Sequence, residues 1–166
     1  MTTFRLTLVK ENIKKPTQQV LNAADVYQVM KFLENEDREK FYVLHLDTKS
    51  RILAMELVSI GALTASLVHP REVFKAAIMN NSFAIICVHN HPSGDIAPSP
   101  EDKAINERLT SAGNILGIAV HDHVIIGHGG FGRVITSDEE TAARALQLRI
   151  EKSKKRKTPR RKMNAA

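Results

Sequence analysis

The sequence predicts an α/β fold in which a mixed sheet lies between helices on both of its faces, giving three layers. Apolar, β-rich runs and segments with helical spacing follow one another in both orders along the chain. One run, Ser82–Val88, is apolar from Phe83 onward, which is typical of a central strand that is covered on both faces. The length of 166 residues and the hydrophobic fraction of 43% suit a single globular domain.

The first half of the chain is predicted to contribute strands and one helix. The predicted elements are, in order, a strand over 4–9, a loop over 12–19, a helix over 23–34 and strands over 39–46 and 51–60. Asn22 is a typical helix cap, and the turn-forming segment Asp47–Ser50 predicts that the last two strands form a hairpin.

The second half is predicted to alternate helices and strands. The predicted elements are a helix over 71–80, the strand over 82–88, a helix over 100–116, strands over 118–127 and 133–136, and a last helix from Ser137 to about 150. Ser137 and Glu140 form a capping-box pattern at the start of that helix. The glycines around His128 indicate a flexible turn, and a phosphate loop is disfavoured because no lysine and no helix follow in the required places.

Most of the positive charge lies at the C-terminal end of the chain. The formal net charge is +6, but residues 151–166 hold eight basic side chains and one acidic side chain, which leaves −1 for residues 1–150. The end segment has no apolar periodicity and contains Pro159. We therefore predict a disordered basic tail that either solubilises the chain or contacts nucleic-acid phosphates without sequence preference.

The composition also excludes several classes of protein. Collagen-like and wholly disordered chains are excluded by the balance of hydrophobic and charged residues. No apolar run approaches the about 20 residues that a membrane span needs, and residues 1–10 do not form a signal-peptide core. We expect a cytoplasmic protein without a membrane partner. Because Cys87 is the only cysteine, a metal site would have to use His, Asp and Glu.

The residues that can carry chemistry follow the central strand. His89 and His91 are two residues apart, so on an extended backbone their side chains lie on one face with Cα atoms about 6 to 7 Å apart. The segment Pro92–Asp95 is turn-forming and lets the chain return. Ser99 and Asp102 then lie in the sequence Ser-Pro-Glu-Asp, which is typical of a helix start.

Each part of this pattern has a structural explanation when taken alone. A serine and an acid at a helix start commonly do no more than cap the helix. Isolated histidines, here His45, His69 and His128, are interpreted as structural or surface residues. The joint pattern His-x-His-x(7)-Ser-x(2)-Asp is more specific, because it offers three ligands that suit a tetrahedral zinc ion with one open position.

This pattern resembles the JAMM signature of MPN-domain metalloproteases, and the flanking sequence resembles the RadC family within that group. The blocks that carry the resemblance are Arg38–Phe41, Leu46–Lys49, Ser59–Leu63, His69–Phe74, His89–Asp95 and Asp122–Gly127. The resemblance implies the layered MPN/JAB fold, similar to that of cytidine deaminases, over residues 21–150. An N-terminal strand and loop (1–20) would precede this domain, and the basic tail (151–166) would follow it.

The resemblance also implies a metal centre. It assigns His89, His91 and Asp102 as zinc ligands, with water as the fourth ligand. The chemistry of the residues agrees, because an open zinc position lowers the pKa of water to about 7 and polarises a carbonyl group.

Two further residues have catalytic roles by resemblance. The family's general base is a glutamate just before the first core strand, and Glu39 matches that position. The nearby acids Glu34, Glu36 and Asp37 are rivals for the role. Ser99 would stabilise the oxyanion of a tetrahedral intermediate, which can contribute about 2.7 to 4 kcal/mol.

Four other residues are weaker candidates. Cys87 shares the face of His89 but is interpreted as a small core residue. Asp122 and His123 are either partners that orient a ligand imidazole or members of a surface cluster. His121 and His123 repeat the His-x-His spacing, but no Ser-x-x-Asp follows, so a second metal site is not predicted.

The sequence therefore predicts two alternative functions. The first is a zinc-dependent metallohydrolase that cleaves an amide or isopeptide bond in a peptide or isopeptide-linked substrate. The second is a RadC-like accessory module that binds DNA or protein and keeps a structural or vestigial zinc site.

A base deaminase is excluded because it needs Pro-Cys-x-x-Cys. The string His89-Asn90-His91 does not indicate an HNH nuclease, whose residues are dispersed over a longer unit. The sequence does not indicate the oligomeric state.

Overall fold

A computed structural model describes residues 18–61, 68–135 and Thr141. The predicted strand over 4–9, the basic tail and, apart from the helical Thr141, the last predicted helix lie outside the described residues. The chain divides into one compact unit over 1–134 and a second over 135–166, and the sheet with its helices belongs to the first. The domain boundaries at residues 21 and 150 stay predictions.

Five strands form one mixed sheet in the order β2-β1-β3-β4-β5. Their bounds are β1 Lys40–Leu46, β2 Ile52–Ile60, β3 Ala84–Asn90, β4 Ala119–Gly127 and β5 Gly130–Arg133. β3 is parallel to β4, and the other neighbouring strands are antiparallel. The predicted hairpin of β1 and β2 is confirmed. Every residue of β3 is buried, as the apolar run predicted for a central strand.

Helices cover both faces of this sheet. They are α1 Ala23–Met30, extended by a 3₁₀ turn over Lys31–Asn35, then α2 Pro70–Met79 and α3 Pro100–Leu116. α1 packs on the face that carries Leu44 and Ile86, whereas α2 and α3 pack on the face that carries Val43 and Ile85. The predicted three-layer α/β architecture is thus confirmed. Among the described residues, no helix has the length and apolar character that crossing a membrane requires.

Two elements differ from the sequence prediction. β3 continues to Asn90, so His89 belongs to the strand instead of following it. β5 spans Gly130–Arg133, so it begins three residues before the predicted strand, and Val134 and Ile135 lie outside it. The reason is the tight turn after β4, where Gly129 has a φ of 71° and Gly127 pairs with Gly130. His128 and Gly129 form the predicted turn, and the glycines that follow it, Gly130 and Gly132, belong to β5.

Two glycines let the chain return from β3 to α3. The loop over residues 94–97 lies directly on the β4–β5 hairpin. A Cβ atom at Gly127 would collide with the carbonyl oxygen of Gly94, and one at Gly132 with the carbonyl oxygen of Ile96. Only glycine permits this close approach of two backbones. The loop thereby brings the start of α3 back to the end of β3.

The start of α3 combines a cap with a buried acid. The Ser99 side chain accepts a hydrogen bond from the backbone N–H of Asp102, and the Asp102 side chain accepts one from the backbone N–H of Ser99. This reciprocal capping box satisfies two donors that have no partner within the helix. Asp102 lies on the buried face of α3 together with Ile105 and Leu109.

His45 on β1 is a fully buried histidine in the sheet. Its Nδ1 atom is 3.2 Å from Oγ of Ser82, and its Nε2 atom is 3.4 Å from a carboxylate oxygen of Glu56. Burial lowers the pKa of His45 from 6.5 to about 4. The imidazole is therefore neutral in the folded chain at neutral pH.

We expect this histidine to make the folded state sensitive to mild acid. The unfolded chain protonates His45 near pH 6.5 and the folded chain only near pH 4, so protons favour unfolding between these values. The free energy of unfolding should fall by up to about 3 kcal/mol over that window. Urea unfolding at pH 6.5 and at pH 4.5 measures the loss. His45→Gln, which cannot titrate, should lose less stability than the wild type, and an equal loss in both would contradict the prediction.

Candidate metal centre

Three ligand side chains converge where β3 ends and α3 begins. His89 is the penultimate residue of β3, His91 follows the strand, and Asp102 lies in the first turn of α3. Their ligand atoms lie within 4.8 Å of one another. The Nε2 atom of His89 is 3.1 Å from Nε2 of His91 and 3.1 Å from Oδ1 of Asp102. The Nε2 atom of His91 is 3.4 Å from Oδ2 of Asp102.

These distances fit a zinc ion. Ligand atoms that bind one tetrahedral zinc at about 2.0 to 2.1 Å are about 3.3 Å apart. Two imidazole nitrogens and one carboxylate oxygen are also the donor types that catalytic zinc sites use. The residues present therefore fit the metal that the sequence pattern predicts, with three protein ligands.

Hydrogen bonds at Nδ1 orient both imidazole rings. Nδ1 of His91 is 2.9 Å from the backbone oxygen of Asp95, and since a carbonyl oxygen only accepts, Nδ1 carries the hydrogen. Nδ1 of His89 is 2.8 Å from Nε2 of His123. In both rings Nδ1 is occupied by a partner, so Nε2 is the atom that faces Asp102.

Asp102 is held as an anion although it is buried. Burial raises the pKa of its carboxyl group, but the adjacent imidazoles of His89 and His91 and the hydroxyl of Ser99 outweigh this effect and hold the pKa well below its usual range. Its Oδ2 atom accepts from the backbone N–H of Ser99 at 2.8 Å and from Oγ of Ser99 at 2.7 Å. The carboxylate is thus charged at neutral pH and fixed in orientation, as a metal ligand requires.

A cleft of about 590 Å³ opens beside these three residues. Ser99, His91 and Asp102 line it, and Glu39 lines it from the start of β1. The pKa of His91 is raised chiefly by its hydrogen bond with Asp102, and the negative charge of Glu39 adds to the increase. The structure therefore places both predicted catalytic residues, Glu39 and Ser99, in the same cleft as the predicted ligands.

The rival acids lie elsewhere. Within the described residues, the cleft lining includes Glu39 but not Glu34, Glu36 or Asp37. Glu34 accepts a hydrogen bond from the Tyr27 hydroxyl, and Glu36 pairs with Lys40. Position in the cleft thus favours Glu39, which the sequence could rank only by its closeness to the strand.

Asn90 holds the backbone on both sides of Glu39. Its Oδ1 atom accepts from the N–H of Lys40 at 2.9 Å, and its Nδ2 atom donates to the carbonyl oxygen of Arg38 at 3.1 Å. The N–H of Gly61 donates to the carbonyl oxygen of Glu39 at 2.8 Å. The segment of Glu39 is therefore tied to β3 and to the end of β2. Sequence reasoning assigned Asn90 no role, and its only signal was its place between two candidate ligands.

The weaker candidates separate by burial. His123 is 1% exposed and contacts His89, so the surface interpretation is wrong for it, and burial lowers its pKa well below the usual value. Asp122 instead pairs with Arg133 at 2.9 Å. Cys87 is fully buried in the core, and burial raises the pKa of its thiol to about 12, which agrees with its interpretation as a small core residue.

Comparison with known proteins identifies the family. Residues 20–141 match the family model of the RadC-like JAB domain. A UPF0758 protein of Methanosarcina mazei is 49% identical over 120 residues, which cover 72% of this chain and 52% of that protein. A UPF0758 protein of Desulforudis audaxviator is 55% identical over 103 residues, covering 62% of this chain and 45% of that protein.

The similarity is strong, but it covers only part of each relative. A UPF0758 protein of Caldanaerobacter subterraneus is 60% identical over 92 residues, covering 55% of this chain and 40% of that protein. The chain thus spans about half the length of the curated relatives it matches. The resemblance found in the sequence is confirmed, and because the family model matches most of the chain, the protein belongs to the RadC-like JAB domain family.

Proposed function

We propose that this chain is a zinc-dependent metallohydrolase of the JAMM type, which cleaves an amide or isopeptide bond with an activated water molecule. The observation that carries the proposal is the convergence of His89, His91 and Asp102 beside a cleft that also holds Glu39 and Ser99. When bound, a zinc ion supplies a Lewis acid that polarises a carbonyl oxygen and acidifies water.

Glu39 acts as the general base in this proposal. Its backbone is held by Asn90 and Gly61, so its carboxylate enters the cleft from a fixed anchor. It removes a proton from the attacking water and returns a proton to the leaving amine. A positioned carboxylate of this kind contributes about 10²- to 10⁴-fold to the rate.

Ser99 stabilises the negative oxygen that develops on the substrate carbonyl. Its hydroxyl donates to Asp102 in the structure, at 2.7 Å. Because a hydroxyl hydrogen rotates freely, and because Asp102 also accepts from the backbone N–H of Ser99, the hydroxyl can turn to a substrate oxygen without leaving the carboxylate unpartnered.

The substrate in this proposal is a peptide or an isopeptide-linked conjugate, and the reaction takes place in the cytoplasm. The basic segment over 151–166 would add a salt-dependent contact with nucleic acid. The accessory-module alternative keeps the metal but has no use for a general base. A variant of Glu39 therefore distinguishes the two functions.

Metal binding is the first test. We expect the purified chain to bind one zinc ion and Asp102→Asn to lose zinc affinity by more than about 100-fold, because even an outer hydrogen-bond partner of a ligand contributes about 10- to 100-fold. Chelator competition on metal-stripped and refilled protein measures the affinity. Asp122→Asn is the matched control and should bind as the wild type does. Equal affinity in the two variants, or a wild type without zinc, would rule out this centre.

Glu39→Gln tests the base. The variant should keep stoichiometric zinc while its kcat on a peptide and isopeptide library drops by about 10²- to 10⁴-fold. Glu36→Gln, which removes a rival acid outside the cleft, should retain activity. If Glu39→Gln leaves the cellular role intact and deletion of residues 152–166 abolishes it, the chain is an accessory module and not a hydrolase.

Ser99→Ala tests whether the cap has a second role. Loss of the capping oxygen should lower the free energy of unfolding by about 1 kcal/mol. Loss of the oxyanion donor should lower kcat by about 10²- to 10³-fold. Asn22→Ala removes the cap of α1 and should cost similar stability with no change in kcat. Chemical unfolding and turnover are measured on both variants. If Ser99→Ala and Asn22→Ala change kcat equally, Ser99 has the capping role alone.

A further inference from the structure

We infer that His123 is a positioning residue that fixes the tautomer of His89 in the metal-binding form. The inference rests on the proposed function, because it concerns a ligand of the proposed zinc centre. It adds to that function a side chain on β4 that lies behind His89 and does not line the cleft.

The hydrogen-bond geometry around His89 leads to this role. Nε2 of His89 faces Asp102 Oδ1 at 3.1 Å, and Nδ1 of His89 faces Nε2 of His123 at 2.8 Å. A neutral imidazole carries its hydrogen on one of these two nitrogens. If Nε2 carried it, the hydrogen would point to Asp102 and block the lone pair that a metal needs. His123 gives the hydrogen an acceptor at Nδ1 and so leaves Nε2 bare.

The same reasoning fixes the hydrogen of His123. Its Nε2 atom must accept from His89, so its hydrogen lies on Nδ1. This Nδ1 atom is buried and has no hydrogen-bond partner within the part of the chain that the structure describes. A buried polar group without a partner costs about 1 to 3 kcal/mol. An apolar side chain at this position would avoid that cost, so packing alone does not explain a histidine here.

The surroundings hold His123 rigidly in place. It lies opposite Cys87 of β3 in the parallel ladder, and its ring meets the Phe41 ring edge-on at 5.4 Å. Its backbone oxygen accepts from the N–H of Val134 at 2.8 Å. His123 therefore presents Nε2 to His89 from a fixed strand, which is the requirement for setting a ring orientation.

A neutral partner also affects the charge of the centre. Metal-bound histidines often donate to a carboxylate, which raises the basicity of the ligand. An imidazole acceptor adds no negative charge, so Asp102 is the one anionic side chain among the three predicted ligands. A zinc ion held by these residues would keep more of its positive charge than it would with a carboxylate behind His89.

Three variants separate positioning from packing. His123→Leu keeps much of the volume but offers no acceptor. His123→Gln is the rescue variant, because it places a carbonyl oxygen near the position of Nε2. His121→Leu is the control, because it changes the exposed histidine two residues earlier on the same strand. We measure the zinc Kd by chelator competition, the absorption spectrum of the Co²⁺-substituted protein, and the thermal unfolding of each metal-free variant.

We expect His123→Leu to weaken zinc binding by about 10- to 100-fold and to change the Co²⁺ spectrum. His123→Gln should restore most of the zinc affinity. His121→Leu should have the zinc affinity and the Co²⁺ spectrum of the wild type. In the zinc-loaded wild type, ¹H–¹⁵N spectra of the histidine rings should show hydrogen on Nδ1 of both His89 and His123.

Two results would overturn the inference while the zinc centre stands. They are a folded His123→Leu variant with wild-type zinc affinity and Co²⁺ spectrum, and a zinc-loaded wild type whose His89 carries hydrogen on Nε2. If His123→Leu does not fold, His123→Gln and the ring spectra decide the matter. A wild type that binds no zinc would instead overturn the proposed function, and this inference with it.

Discussion

The carboxylate of Asp102 joins the fold to the site because it contacts both the start of α3 and the imidazoles of the two candidate ligands. Oδ2 accepts from the backbone N–H and the hydroxyl of Ser99 and thereby caps α3, while Oδ1 faces the imidazole of His89 at 3.1 Å. A buried charge is costly unless its lone pairs are satisfied, and the helix start satisfies only some of them. The remaining lone pairs face the imidazoles of His89 and His91, where a cation would bind. The position of α3 on the sheet therefore determines whether a metal site exists.

The strand β3 supplies the second half of this constraint. It is buried along its whole length between β1 and β4, so His89 and His91 extend from a rigid edge. Asn90, between them, bonds to the backbone on both sides of Glu39. The last two residues of β3 and the residue that follows them thus position two candidate ligands and the candidate base. Precise placement of this kind is easier on a strand than on a mobile loop, because the sheet hydrogen bonds fix the backbone.

Buried polar groups of this chain differ in how well they are satisfied. His45 has partners at both ring nitrogens, in Ser82 and Glu56, which agrees with the structural role assigned from the sequence. Among the residues that the structure describes, His123 has a partner at one nitrogen only, and that partner is a candidate metal ligand. A single unsatisfied atom next to a candidate metal centre is a stronger indication of function than the burial of a histidine alone.

The sequence by itself determined the fold class, the order of the central strand and helices, and the four polar residues of the His-x-His and Ser-x-x-Asp pattern. Those features are local, since apolar periodicity, caps and a two-residue spacing are set by neighbours in the chain. The tertiary structure decided the rest. It placed Glu39 and not Glu34 in the cleft, moved β5 into the glycine-rich segment, and put His123 behind His89. These outcomes depend on contacts between residues far apart in the chain, such as Asn90 and Arg38, which are 52 positions apart, and no local pattern encodes which strands become neighbours.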